Sequence, residues 1–256
     1  GEWYDLTKPT EEELAAQREA KFDFRPLLSV VIPAYKTPER YLKEMLDSIL
    51  AQTYDNWEVC LADGSPAGQS LERVLKRYAE RDPRIRYQVL GENLGIAGNT
   101  NAALQMAAGD FVILADHDDT LPPHAFYEVA KAVNEHPDCQ VIYSDEDKLD
   151  MDGKALFDPH FKPDFNPDLL TSVNYICHLF VVERNLLEKV GGFRQEFDGA
   201  QDYDFIFRCT EAAKEIYHIP KVLYHWRCHQ NSTSSNPESK MYAFEAGSRA
   251  IMAHYK

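Results

Sequence analysis

The feature that most constrains the fold is a regular alternation of short apolar runs with longer amphipathic segments through the first half of the chain. The runs "LLSVVIP", "WEVCLA", "IRYQVL" and "FVILA" are rich in β-branched residues, and the stretches between them have helical periodicity. Strands that alternate with helices in this way form a parallel sheet covered by helices on both faces. The sequence therefore predicts an α/β fold.

Three of the predicted strands end in residues suited to binding a ligand. The first ends at Pro33, Ala34 and Tyr35, the second at Asp63, and the fourth at the acidic run 116–119. The carboxyl ends of parallel strands lie at one edge of a sheet, where open α/β sheets bind their ligands. We therefore expect these residues to line one crevice.

The acidic run "DHDD" is the strongest single signal for chemistry. Asp116, Asp118 and Asp119 repel one another, and a divalent cation is the usual reason that such a cluster persists. Oxygen ligands favour Mg²⁺ or Mn²⁺. The alternative is a turn in which Asp119 caps the following helix. We assign His117 no chemical role.

Other polar residues keep two interpretations each. Asp63 is either a turn residue or an acceptor for a nucleobase N–H group. Asp202 and Asp204 begin an apolar-striped helix, where acidic residues are favoured by the helix dipole in any case. His225 and Arg227 alternate with two aromatic residues on a strand, so either one strand face is core and the other a candidate site, or His225 is a structural residue. The segment "GENLGIAGNTNAAL" is Gly-rich and opens a helix, which would let it approach a diphosphate.

Composition excludes several classes of function. The formal charge is −15, so we expect no nucleic-acid partner. The five cysteines form no CxxC pair, so neither a zinc site nor a disulfide framework is predicted, and a reducing cytosol fits best. No apolar run approaches the length of a membrane span. We expect a cytoplasmic protein, with the inner face of the cell membrane as a candidate location. Because the chain begins without Met, a piece of a longer protein is one expectation.

The predicted organisation is a helical appendage or linker at 1–26 followed by one domain at 27–256. Thr10 and Glu13 form a capping-box signature for a polar helix that ends near Phe22. In the domain, we expect a ligand-binding half at 27–120 and a second half at 121–256. There, "CQVIYSDEDKLDMDGK" predicts a strand, an acidic turn and a hairpin.

The order of these motifs resembles the family 2 glycosyltransferases, the inverting enzymes of the GT-A fold. "SVVIPAYKTPERYLKEMLDSILAQTYDNWEVCLADGS", "ENLGIAGNTNAAL", "GDFVILADHDD", "VGGF" and "GAQDYDF" carry the resemblance, which extends from about Leu27 to Tyr255. "YSDEDK", "FKPDFNPDLL" and "HIPKVLYHWR" are similar to the subgroup that assembles bacterial O-antigen, capsule and cell-wall polysaccharides. The implied fold is a Rossmann-like, mixed but mostly parallel sheet flanked by helices, with a nucleotide-sugar half and an acceptor half.

The resemblance also implies a role for each matching residue. Asp202 would be the general base, with Asp204 as the alternative if the helix register differs. Asp118 would hold Mn²⁺ or Mg²⁺, with His225 as a further metal or diphosphate contact and His229 as its rival. The implied donor-binding residues are Pro33, Ala34, Tyr35, Asp63, Asn93, Gly95, Asn101, Asp116 and Arg227. One departure is Gln201, which stands where the family usually has Glu.

The implied activity is transfer of a sugar from a UDP- or dTDP-linked donor to a hydroxyl of a glycan or lipid-linked glycan. Other domains of a longer chain are candidate partners. Two alternatives remain: a non-catalytic GT-A-like module that binds nucleotide or glycan within a larger synthase, and a sugar nucleotidyltransferase. The latter class usually has a Gly-rich basic loop after its first strand, and "PAYKTPERY" contains no glycine.

Overall fold

The computed structural model describes residues 1–228 and 237–255. In chain order the elements are α1 Glu2–Thr7, α2 Glu11–Glu19, β1 Leu28–Ala34, α3 Glu39–Leu50, β2 Trp57–Asp63, α4 Glu72–Arg81, β3 Ile85–Val89, α5 Gly95–Met106, β4 Phe111–Leu114, α6 Ala125–Glu135, β5 Val141–Leu149, β6 Leu156–His160, α7 Pro167–Leu170, β7 Phe180–Glu183, α8 Arg184–Val190, a 3-10 helix Gln195–Phe197, α9 Gln201–Ala212, β8 Ile216–Arg227 and α10 Pro237–His254. The alternation predicted for the first half is present.

The described strands form one mixed sheet. Its order is β3-β2-β1-β4-β7-β5-β6, and β8 pairs with β5. Strands β1 to β4 are parallel to their neighbours within this group, whereas β7 is antiparallel to both β4 and β5. β8 runs parallel to β5. The predicted α/β class with a mixed, mostly parallel sheet is therefore confirmed.

The central strands are buried on both faces. Every residue of β1 and of β2 is buried. Val30 and Ile32 pack in the hydrophobic cluster on one face of the sheet, while Val31 packs in the cluster on the other face. Continuous rather than alternating hydrophobicity is what two covering layers of helices require. These two layers hold β1 and β4 rigidly, so that their carboxyl ends offer fixed positions for polar groups.

The acidic run in β5 is a strand and not a turn, so that expectation was wrong. Asp145, Glu146 and Asp147 are each less than a tenth exposed. Each carboxylate meets the imidazole of a histidine from another part of the chain, respectively His218, His178 and His225. Buried carboxylates are tolerated when they are paired, and the partners lie too far along the sequence to be recognised from spacing. The predicted hairpin follows, between β5 and β6.

The N-terminal segment packs against the domain. The capping box is present, with the Thr10 side chain and the Glu13 side chain each accepting from the other's backbone N–H. The helix it opens ends at Glu19, and a second helix, α1, precedes it. The Tyr4 ring lies edge-on to His225, and Phe22 packs against Tyr54. A linker role for 1–26 stays a prediction.

Candidate active site

Two adjoining cavities lie at the carboxyl ends of the central strands. Cavity A has a volume of about 420 Å³ and is lined by the end of β1, the 116–118 loop, the start of α5 and the end of β8. Cavity B, of about 680 Å³, extends from there toward β7 and the start of α9. Pro33, Ile96, Asp116 and Trp226 line both cavities. The two cavities are therefore separated by no more than the side chains that they share.

Most of the residues predicted to bind a donor do lie together. Cavity A is lined by Pro33, Ala34, Tyr35, Asn93, Asp116, Asp118 and Arg227 among the predicted residues. His117, Asn99 and Trp226 line it as well and were not predicted. Asn99 sits in the Gly-rich helix entry that was expected to approach a diphosphate, so its amide was a signal available in the sequence.

Asp119 stabilises the acidic loop 116–119 through buried hydrogen bonds. It is fully buried, and its carboxylate accepts hydrogen bonds from the Tyr224 hydroxyl at 2.5 Å and the Arg227 backbone N–H at 2.7 Å. The same Tyr224 oxygen accepts from the Asp116 backbone N–H at 3.0 Å. Burial, together with the neighbouring carboxylates of Asp118 and Asp116, raises the pKa of Asp119 well above its usual range. Asp119 is therefore a structural residue of this loop.

Arg227 is held by protein groups on several sides. It is 1% exposed, its Nε donates to the Asp118 carbonyl at 2.6 Å, and its guanidinium binds the Glu44 carboxylate. The guanidinium carbon also lies 4.4 Å from the centre of the Tyr41 ring. Since it touches the Asp118 backbone directly, Arg227 fixes the loop that carries Asp118 in addition to lining cavity A.

Asp63 does not line either cavity. It is fully buried, and its carboxylate accepts from the backbone N–H groups of Ser65 at 2.9 Å and Leu71 at 2.8 Å. Both bonds close the loop between β2 and α4, which is the turn role that the sequence allowed. A carboxylate has further lone pairs, so recognition of a base by Asp63 stays a prediction.

The N-terminus of α5 is occupied by a carboxylate from the second half of the chain. Gly95 has a φ of +77°, which permits the sharp entry into the helix. Asn93 Oδ1 accepts from the Gly95 N–H at 3.1 Å and from the Asn99 amide at 3.0 Å. Asp198 Oδ1 accepts from the Ala97 N–H at 3.1 Å. Helix N-termini attract anions, and here Asp198 takes the position at which we expected a diphosphate.

Asn101 lines neither cavity and contacts protein, so its donor-binding role stays a prediction. Its Nδ2 donates to the Phe193 carbonyl at 2.8 Å, and its Oδ1 accepts from the Phe193 N–H at 2.8 Å. A Cβ on Gly192 would lie 2.5 Å from the same Oδ1, so a side chain there would displace the Asn101 amide. The "VGGF" turn is thereby attached to α5, and it places the polypeptide that leads to α9.

Replacing Asn101 with alanine is expected to lower the free energy of unfolding by about 1–3 kcal/mol, because both Phe193 backbone groups lose their partner. Urea unfolding followed by circular dichroism measures this. Asn185 is an exposed asparagine that donates to Glu183 at 3.4 Å, and Asn185→Ala is the control with little expected loss. Equal stability of the two variants would contradict a stabilising role for the Asn101–Phe193 hydrogen bonds.

His225 on β8 lines neither cavity. Its Nδ1 is hydrogen-bonded to Asp147, and it borders a separate depression together with Glu44 and Leu149. The neighbouring Trp226 lines both cavities, and Arg227 lines cavity A. This geometry does not support the prediction of His225 as a metal or diphosphate contact, since its ring is already paired with a buried carboxylate. Its rival, His229, lies outside the described residues.

Asp202 stands at the edge of cavity B, in the first turn of α9. Its Oδ2 accepts from the Asn174 amide at 3.2 Å. Burial raises the pKa of Asp202, and the positive charge of His178 opposes that rise. A carboxylate that borders a cavity with a raised pKa has the properties of a general base.

Asp204, the alternative base, lines neither cavity. It is 2% exposed, and its carboxylate binds the guanidinium groups of Arg194 and Arg208, the latter at 3.0 Å. Both cations hold the carboxylate on the side of α9 that faces the 190–194 turn, where the Arg208 Nη1 also donates to the Val190 carbonyl at 2.7 Å. Asp204 therefore anchors α9, and Asp202 is the acid of this helix that borders cavity B.

His178 is a central residue of cavity B that the sequence did not reveal. Its ring stacks on Tyr224 at 4.5 Å, and its Nδ1 lies 3.1 Å from Glu146 while its Nε2 lies 3.5 Å from Asp116. Burial opposes a charge on the ring, but Cys177, Asp116 and Glu146 outweigh it and raise the pKa of His178 well above its usual range. The protonated His178 ring thus places a positive charge beside Asp116 and Glu146.

The side chains here suit a divalent cation. One ligand atom from each of Asp116, Asp119 and His178 lies within 4.8 Å of the others, and Asp118 borders the same cavity as Asp116. Asp119 binds two donors within the protein, and Asp116 and Asp118 are the acids that line cavity A. Hard oxygen ligands of this kind fit Mg²⁺ or Mn²⁺.

The family model described as "Glycosyl transferase family 2" matches residues 29–191. This range covers most of the chain, including the acidic loop and the "VGGF" turn as far as Gly191. The chain therefore belongs to glycosyl transferase family 2, and with it to the glycosyltransferase enzymes, as the sequence predicted.

Two curated relatives are similar over nearly all of this chain. An uncharacterized protein, y4gI, from Sinorhizobium fredii is 45% identical over 90% of the chain, which corresponds to 25% of that protein. The O-antigen biosynthesis protein RfbC from Myxococcus xanthus is 39% identical over 98% of the chain and 20% of that protein. The chain thus spans a quarter or less of these two relatives.

Solved structures support the fold. S. aureus TarS residues 1–349, in complex with UDP-GlcNAc, superposes with a TM-score of 0.70 at 23% identity, over 89% of this chain and 66% of that chain. The mannosyltransferase PcManGT from Pyrobaculum calidifontis, in complex with GDP-Man and Mn²⁺, superposes with a TM-score of 0.68 at 20% identity, over 93% of this chain and 70% of that chain. Among the described residues, no helix is both long and apolar enough to cross a membrane.

Proposed function

We propose that this chain is a metal-dependent, inverting glycosyltransferase domain that transfers a sugar from a UDP- or dTDP-linked donor to a glycan hydroxyl in bacterial polysaccharide biosynthesis. The observation that carries the proposal is the placement of Asp202 at the edge of cavity B, which shares four lining residues with the predicted nucleotide-binding cavity A. The relative named for O-antigen biosynthesis supports the choice of pathway. A lipid-linked glycan, a site at the membrane surface and further domains of a longer chain belong to the same proposal.

The donor would bind in cavity A. Tyr35 is 39% exposed at its rim, and the backbone of Pro33 and Ala34 forms its wall, which suits a flat base and ribose. Asp116 and Asp118 would hold the metal ion, which as a Lewis acid would offset the charge of a departing nucleoside diphosphate. Complexes of related folds with UDP-GlcNAc and with GDP-Man and Mn²⁺ support a nucleotide-sugar and a metal here.

Asp202 would act on the acceptor. A sugar hydroxyl is a weak nucleophile, and a carboxylate that removes its proton during attack is typically worth 10²–10⁴-fold in rate. Attack from the cavity B side and departure of the nucleotide on the cavity A side invert the anomeric centre. A single carboxylate suffices for such a displacement, whereas retention by double displacement needs a nucleophile on that face. His178 would contribute positive charge between the two cavities.

A donor screen tests this proposal. UDP, dTDP, GDP and CMP are titrated calorimetrically with and without Mn²⁺, and UDP-GlcNAc, UDP-glucose, dTDP-glucose and GDP-mannose are tested for nucleotide release. We expect UDP or dTDP to bind, with affinity falling at least about tenfold when EDTA removes the metal, because two carboxylates then face the diphosphate. Metal-independent binding would remove Asp118 from its proposed role, and absence of any turnover would contradict an enzymatic domain.

A further inference from the structure

Asn174 lies beside the proposed general base and has an unusual hydrogen-bonding state. Its Nδ2 donates to Asp202 Oδ2 at 3.2 Å. Its Oδ1 is buried and has no hydrogen-bond partner among the described residues. A buried carbonyl oxygen without a partner costs about 1–3 kcal/mol, which an apolar side chain of similar size would avoid. Packing alone therefore does not account for an amide at this position.

The Asn174 amide donates a hydrogen bond to the carboxylate of Asp202, the proposed base. Asp202 borders cavity B together with Asn174, Cys177 and His178. Of the two Asp202 oxygens, Oδ2 is the one that the amide binds. A hydrogen bond to one oxygen also fixes the rotation of the carboxylate plane. Fixed geometry of this kind determines how often a base meets its substrate in a productive position.

From this geometry we infer that Asn174 is a positioning residue, which orients the Asp202 carboxylate and keeps it ionised for proton removal. The inference rests on the proposed function only for the identity of the base. Donation from a neutral amide favours the charged carboxylate without adding another ionisable group.

Other groups around Asp202 also affect its pKa, and some raise it while others lower it. Burial raises its pKa, and the charge of Asp116 adds to that rise. The charge of His178, the backbone N–H of Tyr203 and the side chain of Cys177 lower it. Glu146 lines the same cavity and pairs with His178. Because these groups remain unchanged in an Asn174 variant, a shift in the titration of Asp202 reports on the amide.

The direct test measures the Asp202 pKa by ¹³C NMR on protein labelled at the aspartate carboxyl carbons, with Asp202→Asn identifying the signal. Loss of the donor in Asn174→Ala should raise this pKa by about one unit. Asn174→Leu, which is close to the original in size and has no donor, should raise it to a similar extent, and it serves if the alanine variant fails to fold. Asn185→Ala, which removes an exposed amide far from the cavities, should leave it unchanged. An unchanged pKa in both Asn174 variants overturns the inference, whether or not the protein is active.

A kinetic test uses the donor that wild-type protein hydrolyses fastest among UDP-GlcNAc, UDP-glucose, dTDP-glucose and GDP-mannose. A base works in its deprotonated form, so the rate rises with pH through its pKa, and a raised pKa moves this acidic limb to higher pH. We expect Asn174→Ala to move the limb up by about one pH unit with an unchanged donor KM. A lower rate with an unmoved limb would indicate a purely structural role. No hydrolysis by wild type would count against the proposed function, and the Asp202 pKa measured by NMR would then decide the role of Asn174 by itself.

Discussion

Replacing Asp202 with asparagine is expected to reduce sugar transfer by about 10²–10⁴-fold while nucleotide affinity changes by no more than about twofold. The carboxylate borders cavity B and does not line cavity A, where the nucleotide is proposed to bind. Asparagine keeps the shape of the side chain but cannot accept a proton at neutral pH. The effect should therefore appear in kcat and not in donor binding.

The control for this prediction is Asp168→Asn. Asp168 occupies the first turn of α7 and is exposed, so it shares the helix position of Asp202 but borders neither cavity. Transfer is measured as nucleotide release with the donor that the wild type prefers, and affinity by calorimetry. An equal loss of transfer and of nucleotide binding in Asp202→Asn would contradict its role as the base and favour a role in shaping the crevice.

The first half of the fold follows from sequence patterns because its determinants are local. Buried strands such as β1 are recognisable by a continuous apolar run, and the carboxyl ends of parallel strands lie at one edge by topology. This is why Tyr35, Asp116 and Asp118 were correctly expected to share a crevice. The family resemblance then added roles that no pattern of burial could supply.

The second half depends on contacts between distant residues, which spacing does not specify. Asp145 to Asp147 were expected in a turn, yet each is buried opposite a histidine at least 30 residues away. For β8, alternation indicated two different faces, but Trp226 and Arg227 both line cavity A while His225 borders a separate depression, which alternation alone does not specify. A strand shows its period in the sequence, while its orientation is set by the strands beside it.

His178 shows a second reason why the site could not be predicted fully from the sequence. A single histidine before a strand gives no signal of its own, since its charge and position arise from Glu146, Asp116 and Tyr224, which come from three other segments. Asn174 is similar, because only its contact with Asp202 distinguishes it from an ordinary loop asparagine. Active sites of this kind are assembled by tertiary structure, and their supporting residues become visible only with it.

Arg227 should prove more important for stability than for nucleotide binding. Arg227→Ala is expected to lower the free energy of unfolding by about 3 kcal/mol, because the change leaves the Glu44 carboxylate and the Asp118 carbonyl without their buried partner. For a chain of this size the corresponding fall in Tm is about 6–12 °C, measured by calorimetry. Nucleotide affinity should fall as a consequence of the displaced Asp118 loop, and to a similar extent for every nucleoside diphosphate.

Arg40 offers a matched control, since it binds the same carboxylate from the solvent side. Its Nε lies 2.7 Å from Glu44 Oε1, and its side chain is 54% exposed. Exposed pairs of this type typically contribute less than about 1 kcal/mol, so Arg40→Ala should leave Tm nearly unchanged. If Arg227 were mainly a phosphate contact, Arg227→Ala would instead keep the Tm of the wild type and lose nucleotide affinity. Because Arg227 and Arg40 bind the same Glu44 carboxylate, comparing Arg227→Ala with Arg40→Ala distinguishes a role of Arg227 in stability from a role in phosphate binding.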